Sequence, residues 1–236
     1  MSSTGRARGG RIRVAFFSAF PPDRGRLSEY ARELLFALVR RHGDVCVTVF
    51  SDLPSGASAG RVRVLPSWRP GDAASLFRAL ALIARSRPHV VVFNVHMAVF
   101  GRGRLVNFAG FLAVLLCRLL GRVFGYRVVV ILHNIPEAVR IETVGLKWSL
   151  ANRLGFLLAE KMALSADAVV VLMRSYRKIL SERFGAKVYY VPHGAWDWGV
   201  GEVSRAGRDS VVFLLSLIHI SEPTRPRLIS YAVFCL

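Results

Sequence analysis

Between Ile12 and Val191 the chain repeats one alternation. A short apolar, β-branched run is followed by a turn, and then by a segment whose apolar residues recur every three or four positions. The runs are Ile12–Phe17 (IRVAFF), Val45–Phe50 (VCVTVF), Arg61–Leu65 (RVRVL), Val90–Asn94 (VVVFN), Arg127–Leu132 (RVVVIL), Ala168–Leu172 (AVVVL) and Lys187–Val191 (KVYYV). Near-continuous apolar runs are what strands covered on both faces require. Only Arg61–Leu65 alternates cleanly, which places it at an edge. Strands and helices in strict alternation predict an α/β fold, a Rossmann-like parallel sheet with helices on both faces. The most compact instance is Ala166–Gly194, which reads strand, turn, helix, strand and Pro-His-Gly turn.

The intervening segments have helical signatures. Ser28 is expected to cap a helix from Glu29 to about Arg41, with Tyr30, Leu34, Leu35, Leu38 and Val39 on one face. Asp72–Ser86 turns Leu76, Leu80 and Ile83 to one side. Ser149–Ser165 is expected to point Leu154, Leu157, Leu158 and Met162 inward. Arg174 and Ser175 offer a cap for a helix ending at Phe184, with Gly185 as its stop.

Leu105–Gly125 is apolar enough to raise the question of a membrane span. A helix of that length is about 30 Å long. Asn107, Arg118 and Arg122 interrupt it, however, and arginine inside a span is costly. It reads either as a helix covering the sheet, or as one that also dips its outer side into a membrane interface.

In parallel sheets ligands sit beyond the carboxyl ends of the strands. That rim collects the loop Ser18–Arg26 (SAFPPDRGR), then Asn94 and His96, His133 to Glu137, Met173 to Tyr176, and Pro192 to Gly194. The first loop is not GxGxxG, which argues against dinucleotide binding of the usual kind.

The net charge is +18, carried by arginine except for Lys147, Lys161, Lys178 and Lys187. Arginine favours bidentate recognition of phosphate or carboxylate. Coding bias explains the excess equally well, and an anionic membrane surface or a nucleotide-linked substrate fits it. No aromatic-basic or zinc-finger pattern points to nucleic acid. Cys46, Cys117 and Cys235 are isolated, so neither a zinc site nor a disulfide framework is implied, and a reducing cytoplasm is expected. Residues 1–11 form a basic lead-in without the apolar core of a secretory signal.

Residues 195–209 are rich in Trp, Gly and charge and read as a linker. Residues 210–214 (SVVFL) read as the first strand of a further domain. From Leu215 the character changes. LSLIHISEPTR resembles a translated transposon-type sequencing adapter, and ISYAVFCL resembles the primer end of the same sequence. Residues 215–236 are therefore expected to be adapter-derived, and His219, Glu222 and Cys235 receive no function.

The rim carries a family resemblance. RVAFFSAFPPDRGRLSEYARELLFALVRRHGDVCV, VVVILHNIPE and ADAVVVLMRSYRKILSERFGAKVYYVPHGAWD occur in the order and spacing of the N-terminal half of family 4 glycosyltransferases of the GT-B type. The resemblance runs from about Ile12 to Leu214. It implies a Rossmann-like acceptor-side domain over 12–194, facing a second, donor-binding domain whose paired glutamates are not found in this chain.

The resemblance also implies retaining transfer from a nucleotide-sugar to a glycan or lipid-linked acceptor, without a cofactor or a metal ion. The fragment alone is then expected to be inactive, and its place to be cytoplasmic or peripheral on the inner face of the cell membrane. His133 matches the cleft histidine and is the catalytic candidate. Gly25, Arg26, Asn134, Ser175, His193 and Gly194 are implied to contact donor or acceptor, although the family's paired glycines are here Gly25 followed by Arg26.

Each residue also has a plainer role. Gly25 is a turn glycine, His133 and Asn134 are a strand-end pair, Ser175 is a helix cap, and Pro192-His193-Gly194 is a turn. A non-catalytic Rossmann-like module binding a small ligand or a membrane surface is the alternative.

Overall fold

The computed structural model describes residues 10–23, 25–53, 60–101, 103–135, 150–185 and 187–194. The expectations for the first residues of the lead-in, for Pro136 and Glu137, and for 195–236 lie outside these. Seven strands form one parallel sheet: β1 (Ile12–Phe17), β2 (Val45–Ser51), β3 (Val62–Pro66), β4 (Val90–Val95), β5 (Arg127–Leu132), β6 (Ala168–Val171) and β7 (Val188–Tyr190). Their order is β3-β2-β1-β4-β5-β6-β7, with β3 at an edge as its alternation predicts. The fold is a Rossmann-like α/β fold. Strand order reverses between β1 and β4, which opens a crevice at their carboxyl ends.

Strand residues alternate between two apolar layers. Val14 and Phe16 of β1, Val47 and Val49 of β2, and Ile131 of β5 pack with α1 (Arg26–Arg41) through Ala31, Leu35 and Val39. Ala15, Phe17, Val91, Phe93, Val128 and Val130 face the other way. There they meet α2 (Ala73–Arg85), α3 (Arg104–Phe124), α4 (Leu150–Leu164) and α5 (Arg174–Phe184). Phe17 stacks on Trp68 at 4.9 Å and lies 5.2 Å from Phe93. Phe100 sits edge-on to Phe111 at 5.5 Å. Gly110 of α3 makes room for it, since a Cβ there would lie 2.2 Å from the Phe100 ring.

Several local expectations are corrected. α1 begins at Arg26 with Gly25 as N-cap, so Ser28 is not the cap. Its hydroxyl donates to the carbonyl of Asp23 from inside the first turn. α5 is preceded by Met173 at the N-cap position, and Ser175 is exposed in its first turn rather than capping. Leu154 and Leu158 of α4 are exposed, whereas Met162 is buried as expected, together with Ala159, Glu160 and Ala163. The contact with the neighbouring α3 decides which side of α4 is buried. Asp72 caps α2 by accepting from the Ser75 N–H, and Gly185 ends α5 in the left-handed region as expected.

Asp167, at the start of β6, ties two elements together. Its carboxylate accepts from the Val128 N–H at 2.8 Å and pairs with Arg118 of α3 at 2.9 Å and Arg127 at 3.1 Å. These contacts hold its pKa below the ordinary value despite desolvation, which opposes them. The Asp167–Arg118 pair is largely buried, and the Arg118 Nε already lacks a partner. Removing the carboxylate strands a guanidinium. Asp167→Ala should cost about 2–3 kcal/mol in urea denaturation, and Asp167→Asn less, because its amide oxygen still accepts from Val128.

Candidate functional site

The register of the sheet assembles the site. Phe17 of β1 pairs with Phe93 of β4, so the next residues, Ser18 and Asn94, lie side by side at the switch point. Val95 pairs with Leu132 of β5, and the His133 N–H donates to the Val95 carbonyl at 3.0 Å. Ser18, Asn94 and His133 thus form a row across three adjacent strand ends.

Their hydrogen bonds fix one arrangement. The Ser18 hydroxyl donates to the Ala19 carbonyl at 2.7 Å, which leaves its oxygen to accept from Asn94 Nδ2 at 3.0 Å. Asn94 Nδ2 also reaches the Leu27 carbonyl at 3.5 Å. The amide group is thereby oriented, and its Oδ1 faces His133 Nε2 at 2.8 Å. An amide oxygen only accepts, so His133 carries its proton on Nε2 and presents the Nδ1 lone pair. Ser18 and Asn94 are fully buried and His133 half-buried.

Aromatic contacts complete the wall. Tyr30 of α1 meets the His133 ring at 4.9 Å and the His193 ring at 5.4 Å, edge-on in both cases. His133 and His193 lie 5.9 Å apart. Burial, with positive charge from His193 and His96 added, pushes the His133 pKa down to about 3. Burial also lowers that of His96, whose Nδ1 accepts from the Ala98 N–H at 3.2 Å. His133 is therefore a neutral imidazole at neutral pH. It suits hydroxyl recognition better than anion binding.

The other sequence candidates take distinct places. Gly25 sits at the start of α1, and its N–H donates to Asp23 Oδ1 at 3.2 Å. A Cβ there would come within 2.8 Å of the same carboxylate. The helix N-terminus is thus covered by the chain's own acid. Arg26 opens α1. Asn134 Oδ1 accepts from the Met97 N–H at 2.9 Å, tying the loops after β4 and β5. Ser175 follows β6, and His193 and Gly194 follow β7, all at the same strand ends. Contacts bring His133 and His193 together, but none of those described joins Gly25 or Ser175 to them. Sequence reasoning placed Ser18 on the rim only as part of the first loop, with no role of its own, and gave Tyr30 only a core role. The signal that could have found the row was Asn94, a lone polar residue closing an otherwise apolar strand. Among the described residues no cluster of histidine, cysteine or carboxylate side chains could hold a metal ion.

Fold and site together define a Rossmann-like α/β domain with a polar row at its switch point. No family model and no curated protein matches the chain. Solved structures resemble it at low identity. A UDP-glucosyltransferase from Polygonum tinctorium capable of glucosylating indoxyl aligns with TM-score 0.48 and 14% identity, over 84% of this chain and 56% of that one. Phytolacca americana UGT2, complexed with UDP-2fluoro-glucose and pterostilbene, gives 0.47 and 8%, over 80% and 55%. The Bordetella bronchiseptica enzyme WbmG, in complex with NAD, gives 0.44 and 14%, over 70% and 53%. The chain therefore spans about half the length of these structures.

Proposed function

We propose that the chain forms the acceptor-side wall of a retaining, family 4 type glycosyltransferase, which moves a sugar from a nucleotide-sugar to a glycan or lipid-linked acceptor. The observation that carries this reading is the Ser18–Asn94–His133 row at the switch point. It holds one neutral imidazole whose Nδ1 is left as the acceptor nitrogen. The ordered motifs between Ile12 and Leu214 support the same reading.

Glycosyl transfer builds positive charge on the sugar and negative charge on the leaving phosphate. An imidazolium beside the sugar would oppose the first of these. A neutral His133 avoids that penalty while its Nδ1 accepts a hydrogen bond from a sugar hydroxyl. Asn94 keeps the ring in the required tautomer, and Tyr30 packs against its edge. Phosphate contact at Gly25 requires the Asp23 carboxylate to swing away from the helix start, so Asp23 gates that role. In this reading the opposite wall holds the donor, and neither a metal ion nor a cofactor takes part.

The test begins with the source DNA. Reading the locus beyond the codon for Leu214 should reveal a second α/β domain with two glutamates eight positions apart. A natural gene that continues through residues 215–236 as given would refute the adapter reading. In the protein encoded by the recovered gene, His133→Ala should lower kcat by about a hundredfold or more, as loss of an oriented polar contact does. Asn94→Leu should lower it less. Unchanged turnover in His133→Ala would reduce the imidazole to scaffold. Sugar transfer by the 236-residue chain alone would overturn the assignment of the donor to a second wall.

A further inference from the structure

The outer layer of the molecule carries an apolar stripe that the site does not use. On α3, Leu105, Phe108, Leu112, Leu116, Leu119 and Val123 follow one another at intervals of three or four and fall on one face. Leu105 is 87% exposed, Val123 77% and Leu119 44%. On the neighbouring α4, Leu154 and Leu158 are also exposed. Leu112 and Leu116 in the middle are partly buried against the core, so the exposed apolar surface gathers towards the two ends of the helix, at Leu105 and Phe108 and at Leu119, Val123 and Phe124. Exposed apolar surface of this kind marks a docking site.

Charge says what docks. Residues 104–127 contain Arg104, Arg118, Arg122 and Arg127 and no acid. The one acid of α4, Glu160, is 1% exposed. Every exposed charge that α3 and α4 present is therefore positive, and Arg104 and Arg122 stand at the two ends of the stripe. A second copy of the same layer would bring arginine against arginine. An anionic bilayer supplies both the apolar phase and the opposite charge.

The other side of α3 decides how it meets the bilayer. The helix is long and apolar enough to cross one. Yet Gly110, Phe111, Ala113, Val114, Cys117 and Gly121 are buried in the protein. Gly110 lies so close to Phe100, and Gly121 to Tyr126, that a Cβ would clash at 2.2 Å and 2.7 Å. A helix fitted so closely to its own sheet lies flat on the membrane with its outer face immersed. We infer that the α3–α4 layer docks this domain onto an anionic membrane surface. α3 runs back from the rim along the sheet, so the docked domain opens its rim sideways along the bilayer. The inference stands apart from the transferase reading.

Vesicle flotation of the 236-residue chain tests it. The chain should float with vesicles containing phosphatidylglycerol, and only weakly with phosphatidylcholine alone. Added salt should reduce the difference. Arg122→Gln should lower partitioning about fivefold. Leu119→Glu combined with Val123→Glu should lower it about a hundredfold. Tyr189→Glu, on the exposed face of β7, should leave it unchanged, and thermal melts verify folding of each variant. If the double variant unfolds, Leu105→Glu at the most exposed position replaces it. Wild-type chain that stays with the pellet on anionic vesicles, or stripe variants that float as well as wild type, overturns the inference. So does self-association of the wild type, in ultracentrifugation without lipid, that the stripe variants abolish.

Discussion

Phe100→Ala should destabilise the fold by about 3–5 kcal/mol, read as a fall in the urea midpoint at constant slope. The ring is fully buried among Phe17, Trp68 and Phe111, so its loss leaves a cavity that these rigid neighbours cannot fill. Gly110→Ala acts on the same contact from the opposite side. Its methyl would enter the Phe100 ring at 2.2 Å, at an overpacking cost of about 1–3 kcal/mol, offset by the better helix propensity of alanine of up to about 1 kcal/mol. In the double variant the methyl occupies space the ring has vacated. The two changes together should therefore cost at least about 1 kcal/mol less than their sum. Strict additivity would mean that Phe100 and Gly110 do not share the space assigned to them.

The second large effect is a cancellation in acid. The His133 pKa is lowered to about 3 from an ordinary 6.5. Between these values the unfolded chain binds a proton that the folded chain refuses. Stability is therefore lost as pH falls through that window, at up to about 1.4 kcal/mol per pH unit. His96 acts in the same direction. Glu160 acts in the opposite direction. Burial raises its pKa from 4.5 to about 7, and its Oε1 has no hydrogen-bond partner. Between 4.5 and 7 the folded chain binds the extra proton, so stability rises as pH falls. Asp52, also raised by burial, adds to this side.

The wild-type protein should consequently show a shallow profile from about pH 7 to 4.5, then a steep loss below 4.5, where His133 acts without opposition. Glu160→Gln should expose the histidine slope, so that stability falls from pH 6.5 downward. His133→Gln should show the reverse, with stability increasing on acidification to about 4.5. Urea denaturation of the three proteins across this range decides the matter. Parallel profiles would show that neither side chain is buried as the structure has it.

Much of this architecture is legible in the residues themselves. The seven runs from Ile12 to Val191 became seven strands with boundaries within a residue or two. The alternation of RVRVL foretold the edge position of β3. Local features failed where two residues compete for one role. Ser28 and Ser175 are good caps by type. Gly25 and Met173 hold the cap positions instead, and both have extended backbone there. Leu154 and Leu158 look inward by composition but face outward, since α3 lies against the other side of α4.

The candidate site was visible only in outline. The sequence placed Asn94, His133 and His193 at strand ends. It did not reveal that Ser18 would orient Asn94, that Asn94 would set the tautomer of His133, or that Tyr30 would meet two histidines. Strand periodicity is a property of neighbours along the chain, so burial and strand identity can be read from them directly. The proton on His133 depends on a register between residues 76 and 39 positions apart. Only the folding of β1, β4 and β5 side by side brings those three polar groups out of water and within reach of one another.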